Sequence, residues 1–83
     1  MKLAKFVKFR EEKFGGVLFE TRAEKVFTLN ATATAVVREI DRGAPESEIP
    51  QRLRERFRDD SGTIDREALA FIAELKHKGL VES

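Results

Sequence analysis

The 83-residue chain has no cysteine, which removes a disulfide framework, a thiolate nucleophile and any cysteine-type zinc site together. Its one histidine, His77, sits between two lysines with no carboxylate or nucleophile spaced to partner it. A helix C-terminus accounts for such a residue without catalysis or metal binding. No charge of one sign is in excess: sixteen Lys and Arg face fifteen Asp and Glu, a net of +1. General attraction for nucleic acid or anionic lipid is therefore small. No apolar run approaches membrane-spanning length, and Met1-Lys2-Leu3-Ala4-Lys5 lacks the continuous apolar core of a signal peptide. The expectation is a cytoplasmic, non-enzymatic protein with no cofactor.

What is present is a charged surface and a small core. Charged residues make up 37% and hydrophobic ones 41%, the balance of one globular domain over residues 1–83. Phe6-Val7-Lys8-Phe9 reads as a first strand, with Arg10-Glu11-Glu12-Lys13 as the turn after it. Gly15-Gly16 then breaks the chain before the strand Val17-Leu18-Phe19-Glu20. Residues 21–24 fit a hairpin turn, and Lys25, Val26, Phe27, Thr28 and Leu29 return as a strand, with Phe27 and Leu29 on one face.

Asn30 is an N-cap, since its side-chain oxygen can accept from an orphaned helix N–H. Behind it Ala33, Val36, Val37 and Ile40 recur at helical spacing, and Gly43 ends the run. A second helix is expected from Ser47 as cap, with Pro50 in its first turn and Ile49, Leu53 and Phe57 as its apolar line. It should stop near Arg58, because Asp59-Asp60-Ser61-Gly62 is loop chemistry. A third helix is expected over residues 65–78, stopped by Gly79, with Leu80-Val81 as a short extended tail. The fold class is α+β: a small antiparallel sheet of three strands followed by three helices, similar to a winged helix-turn-helix.

Three motifs reduce to structure. The segment from Asp59 to Asp65 has its glycine too early for a calcium loop and lacks the bidentate Glu. Gly15-Gly16 feeds a strand, so no helix N-terminus follows to receive a phosphate. Arg52, Arg54, Arg56 and Arg58, with Arg38 and Arg42, could hold phosphates or an acidic peptide, but acid-before-base pairs such as Glu48 and Arg52 describe a solvated helix face.

The third helix carries more. Ala68, Ile72 and Leu75 can face the core while Phe71 turns toward another edge. The spacing is compatible with two outcomes, a surface wholly covered by the other elements or one left partly open as a groove. Its charges nearly cancel, since Asp65, Glu67 and Glu74 accompany Arg66, Lys76 and Lys78. A helix that reads DNA in the major groove should not repel phosphate.

In this order the residues resemble the PqqD-like peptide chaperones, the leader-peptide recognition elements of pathways that modify ribosomally made peptides. The matching stretches are Gly16-Val17-Leu18-Phe19, Val26-Phe27-Thr28-Leu29-Asn30 running into Thr34-Ala35-Val36-Val37, Ile40-Asp41-Arg42-Gly43, Glu48-Ile49, Phe71-Ile72-Ala73-Glu74-Leu75 and Gly79-Leu80-Val81. The chain departs from some members in Arg-Gly-Ala-Pro after the first helix and in a longer loop before the last. The resemblance implies that a precursor leader adds as a strand beside Lys25, Val26, Phe27, Thr28 and Leu29 and packs against Ala68, Phe71, Ile72 and Leu75. It further implies a separate or fused modifying enzyme, often a radical S-adenosylmethionine enzyme, as second partner. The competing expectations are a winged-helix DNA-binding regulator, from the helix order and the arginines, and a weak homodimer through the uncovered strand.

Overall fold

Alternation in the first thirty residues forms a three-stranded sheet, and the helical periodicity behind it supplies the layer that covers one face. The computed structural model describes residues 1–58 and 61–82. Its strands are β1 (Lys2–Leu3), β2 (Val7–Glu12), β3 (Gly15–Glu20), β4 (Lys25–Leu29) and β5 (Val81–Glu82), and its helices α1 (Ala31–Asp41), α2 (Ile49–Phe57) and α3 (Thr63–His77). The main sheet has the order β2-β3-β4, antiparallel throughout. No described helix is long and apolar enough to cross a membrane.

Register explains the two faces. Gly16 pairs with Leu29, Leu18 with Phe27 and Glu20 with Lys25, so these residues share the side facing the helices. Leu18 and Leu29 are buried there and Phe27 is half-buried, while Val26 and Thr28 are exposed on the opposite face, as strand alternation requires. α1 is the spine of the core. Val36, Val37 and Ile40 are fully buried against Leu18, Ile49, Leu53, Ile72 and Leu75. Asn30 caps α1 as expected, its Oδ1 accepting from the Ala33 N–H at 2.8 Å.

Several boundaries differ from the sequence reading, each for a local reason. Arg10, Glu11 and Glu12 extend β2 and are not a turn, because they pair with Val17, Gly16 and Gly15. Gly15 and Gly16 accordingly lie inside β3 and do not interrupt it. Gly15 has φ +147°, and a Cβ there would collide with the Leu29 carbonyl oxygen; at Gly16 it would sit 3.0 Å from the Phe9 ring and from Thr34 Oγ1. The pair is glycine so that β3 can pass close to the end of β4 and to α1.

Ser47 does not cap α2. It lies within a 3-10 turn, Glu46–Glu48, and Glu48 occupies the cap position without a side-chain bond to the helix N-terminus. Pro50 is in the first turn of α2 as expected, and the helix closes on Arg58 in the left-handed region. α3 begins at Thr63, two residues before the expected start at Asp65, and Asp59 and Asp60 lie outside the described residues.

A two-stranded tie between the described ends was not foreseen. β1 pairs antiparallel with β5, and the Ala4 N–H donates to the Leu80 carbonyl at 2.9 Å. This tie holds Leu80 buried beneath the end of α3.

The hairpin of β2 and β3 is fastened to α1 by charge. Arg38 Nε and Nη2 donate to the two Glu11 carboxylate oxygens at 2.6 and 2.9 Å. That hydrogen bonding holds the Glu11 carboxyl below its ordinary value of 4.5. A carboxylate depressed in the folded state stabilises fully above its unfolded value, and the contribution fades as pH falls through the folded one. Glu11→Gln should therefore flatten the acid limb of stability against pH, measured by thermal melts below about pH 5. Gly15→Ala should lower stability by ~1–3 kcal/mol in chemical denaturation, because L residues disfavour that backbone region and the added Cβ meets the Leu29 carbonyl.

Candidate functional site

A three-stranded sheet has two edges, and the side chains beside each decide which can take another strand. Along β2, the outer face of the sheet carries Lys8, Arg10 and Glu12, and the hollow next to it is rimmed by Lys2, Lys5, Lys8 and Asp41. Charges of that kind discourage strand pairing. Among the described residues β4 is hydrogen-bonded only to β3, which leaves its other flank without a strand neighbour. Beside that flank lies an apolar cleft.

The cleft holds about 240 Å³ between β4 and α3. Phe27, Thr28 and Leu29 form one wall, and Phe71, Glu74 and Leu75 form the other. Leu18 and Ala33 supply its floor, Leu80 closes it below, and Asn30 and Lys78 lie at its margins. The local causes are plain. Phe27 and Leu29 point inward because they share a strand face. Phe71 and Leu75 stand one turn apart on α3 and so share a helix face. α3 itself is seated by Ala68, Ile72 and Leu75, which are almost wholly buried. Phe71, being only half-buried, is left at the lip.

The sequence-predicted site residues divide into three groups. Phe27, Thr28, Leu29, Phe71 and Leu75 come together around the cleft. Lys25 and Val26 are exposed on the edge strand; Val26, 60% exposed, faces away from α3. Ala68 and Ile72 belong to the core under α3 and do not line the cavity. The open-groove outcome for α3 is thus realised at Phe71, while the other apolar residues of its core stripe are covered. Sequence reasoning missed Leu18, Asn30, Ala33, Glu74, Lys78 and Leu80 as lining residues. Ala33 and Glu74 could have been reached, since Ala33 is a small residue one turn after the cap and Glu74 lies three residues beyond Phe71 on one helix face.

The electrostatics are those of a greasy slot with a few charges at its rim. Lys78 Nζ stands 5.8 Å from the Phe27 ring centroid and 3.8 Å from Glu74. A lysine there covers apolar surface with its stem and keeps its charge in water. His77 is exposed at the end of α3 with no hydrogen bond or ion pair among the described residues. No group of three or more described His, Asp or Glu side chains is placed to hold a metal ion.

The arginines are largely answered within the protein. Arg52 reaches Glu39 at 3.1 Å and Glu48 at 3.2 Å, Arg54 pairs with Asp65, and Arg42 approaches Glu39 at 3.6 Å. With Arg38 held by Glu11, the ladder ties α1, α2, α3 and the hairpin to one another. It is poorly suited to collecting phosphates.

The family described as Coenzyme PQQ synthesis protein D (PqqD) matches residues 15–81. The chain belongs to the PqqD family. That match spans β3, β4, all three helices and the start of β5, and it bears out the resemblance read from the sequence. A comparison with curated proteins found no match. Among solved structures, this PqqD-family chain is similar to one described as TbiB1 in complex with the TbiA(beta) leader peptide. The TM-score is 0.85 at 23% identity, over 100% of this chain and 96% of that one. It is also similar to one described as lasso peptide synthetase B1 complexed with the leader peptide, with a TM-score of 0.79 at 22% identity, over 99% and 96% of the two chains. These likenesses establish the fold, including its helix-turn-helix-like core and small sheet.

The lip and the floor of the cleft should respond differently to truncation. Phe71→Ala, at a half-buried position, should cost about 1–2 kcal/mol in urea denaturation, below the ~2–5 kcal/mol of Ile72→Ala in the core. Equal losses would place Phe71 in the core and not at the lip.

Proposed function

We propose that this protein is a non-catalytic carrier, one peptide-recognition domain that binds the leader of a ribosomally made precursor by strand addition to β4 and presents it to a modifying enzyme. The observation that carries the reading is the one-sided pairing of β4 next to an apolar cleft. Family membership supports it, as does the fact that both similar structures are described as complexes with leader peptides. The recipient enzyme is of a peptide-modifying class, with radical S-adenosylmethionine enzymes the group that the family resemblance implies. Its place of action is the cytoplasm, where precursor peptides are made.

The physical chemistry suits a carrier. Strand addition satisfies backbone donors and acceptors whatever the peptide sequence, and pockets for alternate side chains choose the partner. A few added backbone bonds at ~0.5–1.5 kcal/mol each and two apolar anchors at ~1.5–3 kcal/mol each can offset the ordering of a flexible leader. Micromolar affinity, about −8 kcal/mol, is within that reach and leaves release easy. A DNA-binding regulator is less well supported, because Arg38, Arg52 and Arg54 are paired internally and the core stripe of α3 is buried.

The test is a titration of isotope-labelled protein with the leader segments of precursor peptides encoded beside it. The amides of Lys25–Leu29 and those around Phe71 should shift together, and Val26→Pro, which removes an edge-strand N–H, should weaken binding about tenfold. Shifts confined to α2, or undiminished affinity in a folded Val26→Pro protein, would count against the assignment.

A further inference from the structure

The cleft is not uniform along its length. Past Phe71, toward the start of α1, it opens into a second chamber of about 270 Å³ that shares Asn30, Ala33, Phe71 and Glu74 with the first and adds Thr32, Glu67 and Ala70. Glu67, Phe71 and Glu74 recur at helical spacing on α3, so both carboxylates stand along the stripe that borders the cavity. No Lys, Arg or His among the described residues lines this chamber. Glu74 is met in part by Lys78 at 3.8 Å, at the other end of the cleft. The Glu67 side chain makes no hydrogen bond or ion pair among the described residues.

We propose that this chamber is a specificity pocket for a lysine or arginine side chain of the bound peptide. The inference rests on the reading of the cleft as the leader site, and it narrows the class of leader to one that carries an apolar anchor and a basic residue. Ala33 and Ala70 are small enough to leave a channel for a methylene stem, and the Phe71 ring borders both chambers. A lysine or arginine can lay its stem on such a surface, place its charge beside an aromatic ring and a carboxylate, and keep part of its hydration. An acidic side chain would instead meet two carboxylates in the same space. Because alternate residues of an added strand face the cleft, the basic residue and the apolar anchor should be an even number of positions apart. Discrimination here is built from repulsion of the wrong charge as much as attraction of the right one.

Short fluorescein-labelled peptides provide the test. Each carries one phenylalanine anchor and has lysine, glutamine or glutamate two positions before or after it, with binding followed by anisotropy and by the amide shifts of β4. For one of the two placements the lysine peptide should bind about threefold to tenfold tighter than the glutamate peptide. The preference should disappear in Glu67→Gln and reverse in Glu67→Lys. Glu67 is exposed, so both variants should keep the wild-type circular dichroism and melting behaviour. Peptides that shift β4 yet show no charge preference, or a lysine preference that survives Glu67→Lys, would overturn the chamber assignment and leave the leader reading intact. If none of the peptides shifts β4, the leader reading falls and the chamber assignment falls with it.

Discussion

β4 is hydrogen-bonded along one flank, to β3, and the rest of the molecule is arranged around that one-sided pairing. An unpaired strand edge is ordinarily a liability that proteins cover, twist away or decorate with charge. Here the other edge of the same sheet carries the charges, on Lys8, Arg10 and Glu12, while β4 faces an apolar slot. The slot stays open because α3 is anchored by residues one step around its circumference. Ala68, Ile72 and Leu75 fix its distance from α1, and Phe71 stands at the lip without filling the gap. In the proposed function, main-chain capacity and side-chain pockets would act on the same extended segment, the first giving affinity and the second choice.

The cleft depends on packing some distance from it. β1 and β5 join the two described ends of the chain, and that tie holds Leu80 at the base of the cleft. The close passage of Gly15 and Gly16 past Leu29 and Thr34 sets where β4 ends and α1 begins. Asn30 then caps the helix at that corner, so the strand edge and the helix start meet at one hydrogen-bonded residue. Charge serves the same purpose on the far side. Glu39 gathers Arg42 and Arg52, Asp65 takes Arg54, and Glu11 takes Arg38, so that much of a basic-looking second helix becomes internal cross-bracing. Exposed pairs of this kind are individually weak, and their use here lies in register and spacing more than in stability.

How much of this could be read beforehand varied with the length of the signal. β3, β4 and α1 were legible because alternation, an Asn cap and a 3.6-residue period coincide in one short stretch. The inward set of α3 was legible for the same reason, although its start was placed two residues late, since Thr63 and Ile64 follow a Ser-Gly pair that reads as loop. Gly15 and Gly16 were noticed and misplaced: composition marks them as a break, and only the approach of Leu29 and Thr34 explains glycines inside a strand. β1 and β5 were beyond reach as a pair, because two-residue strands from opposite ends have no period. Ala68 and Ile72, which the helical period turned toward the core and the family resemblance set on the cleft wall, lie in the core.

The sequence by itself determined the order of the three main strands and three helices, the faces they bury and the family to which the chain belongs, since hydrophobic period and capping chemistry are local properties. Only the tertiary structure decided that β4 has no second strand neighbour among the described residues, that an apolar cleft separates it from α3, and that Glu67 and Glu74 border one end of the opening. Those features depend on distances between segments far apart in the chain. Such distances follow from how the core closes around α1, which no local pattern encodes.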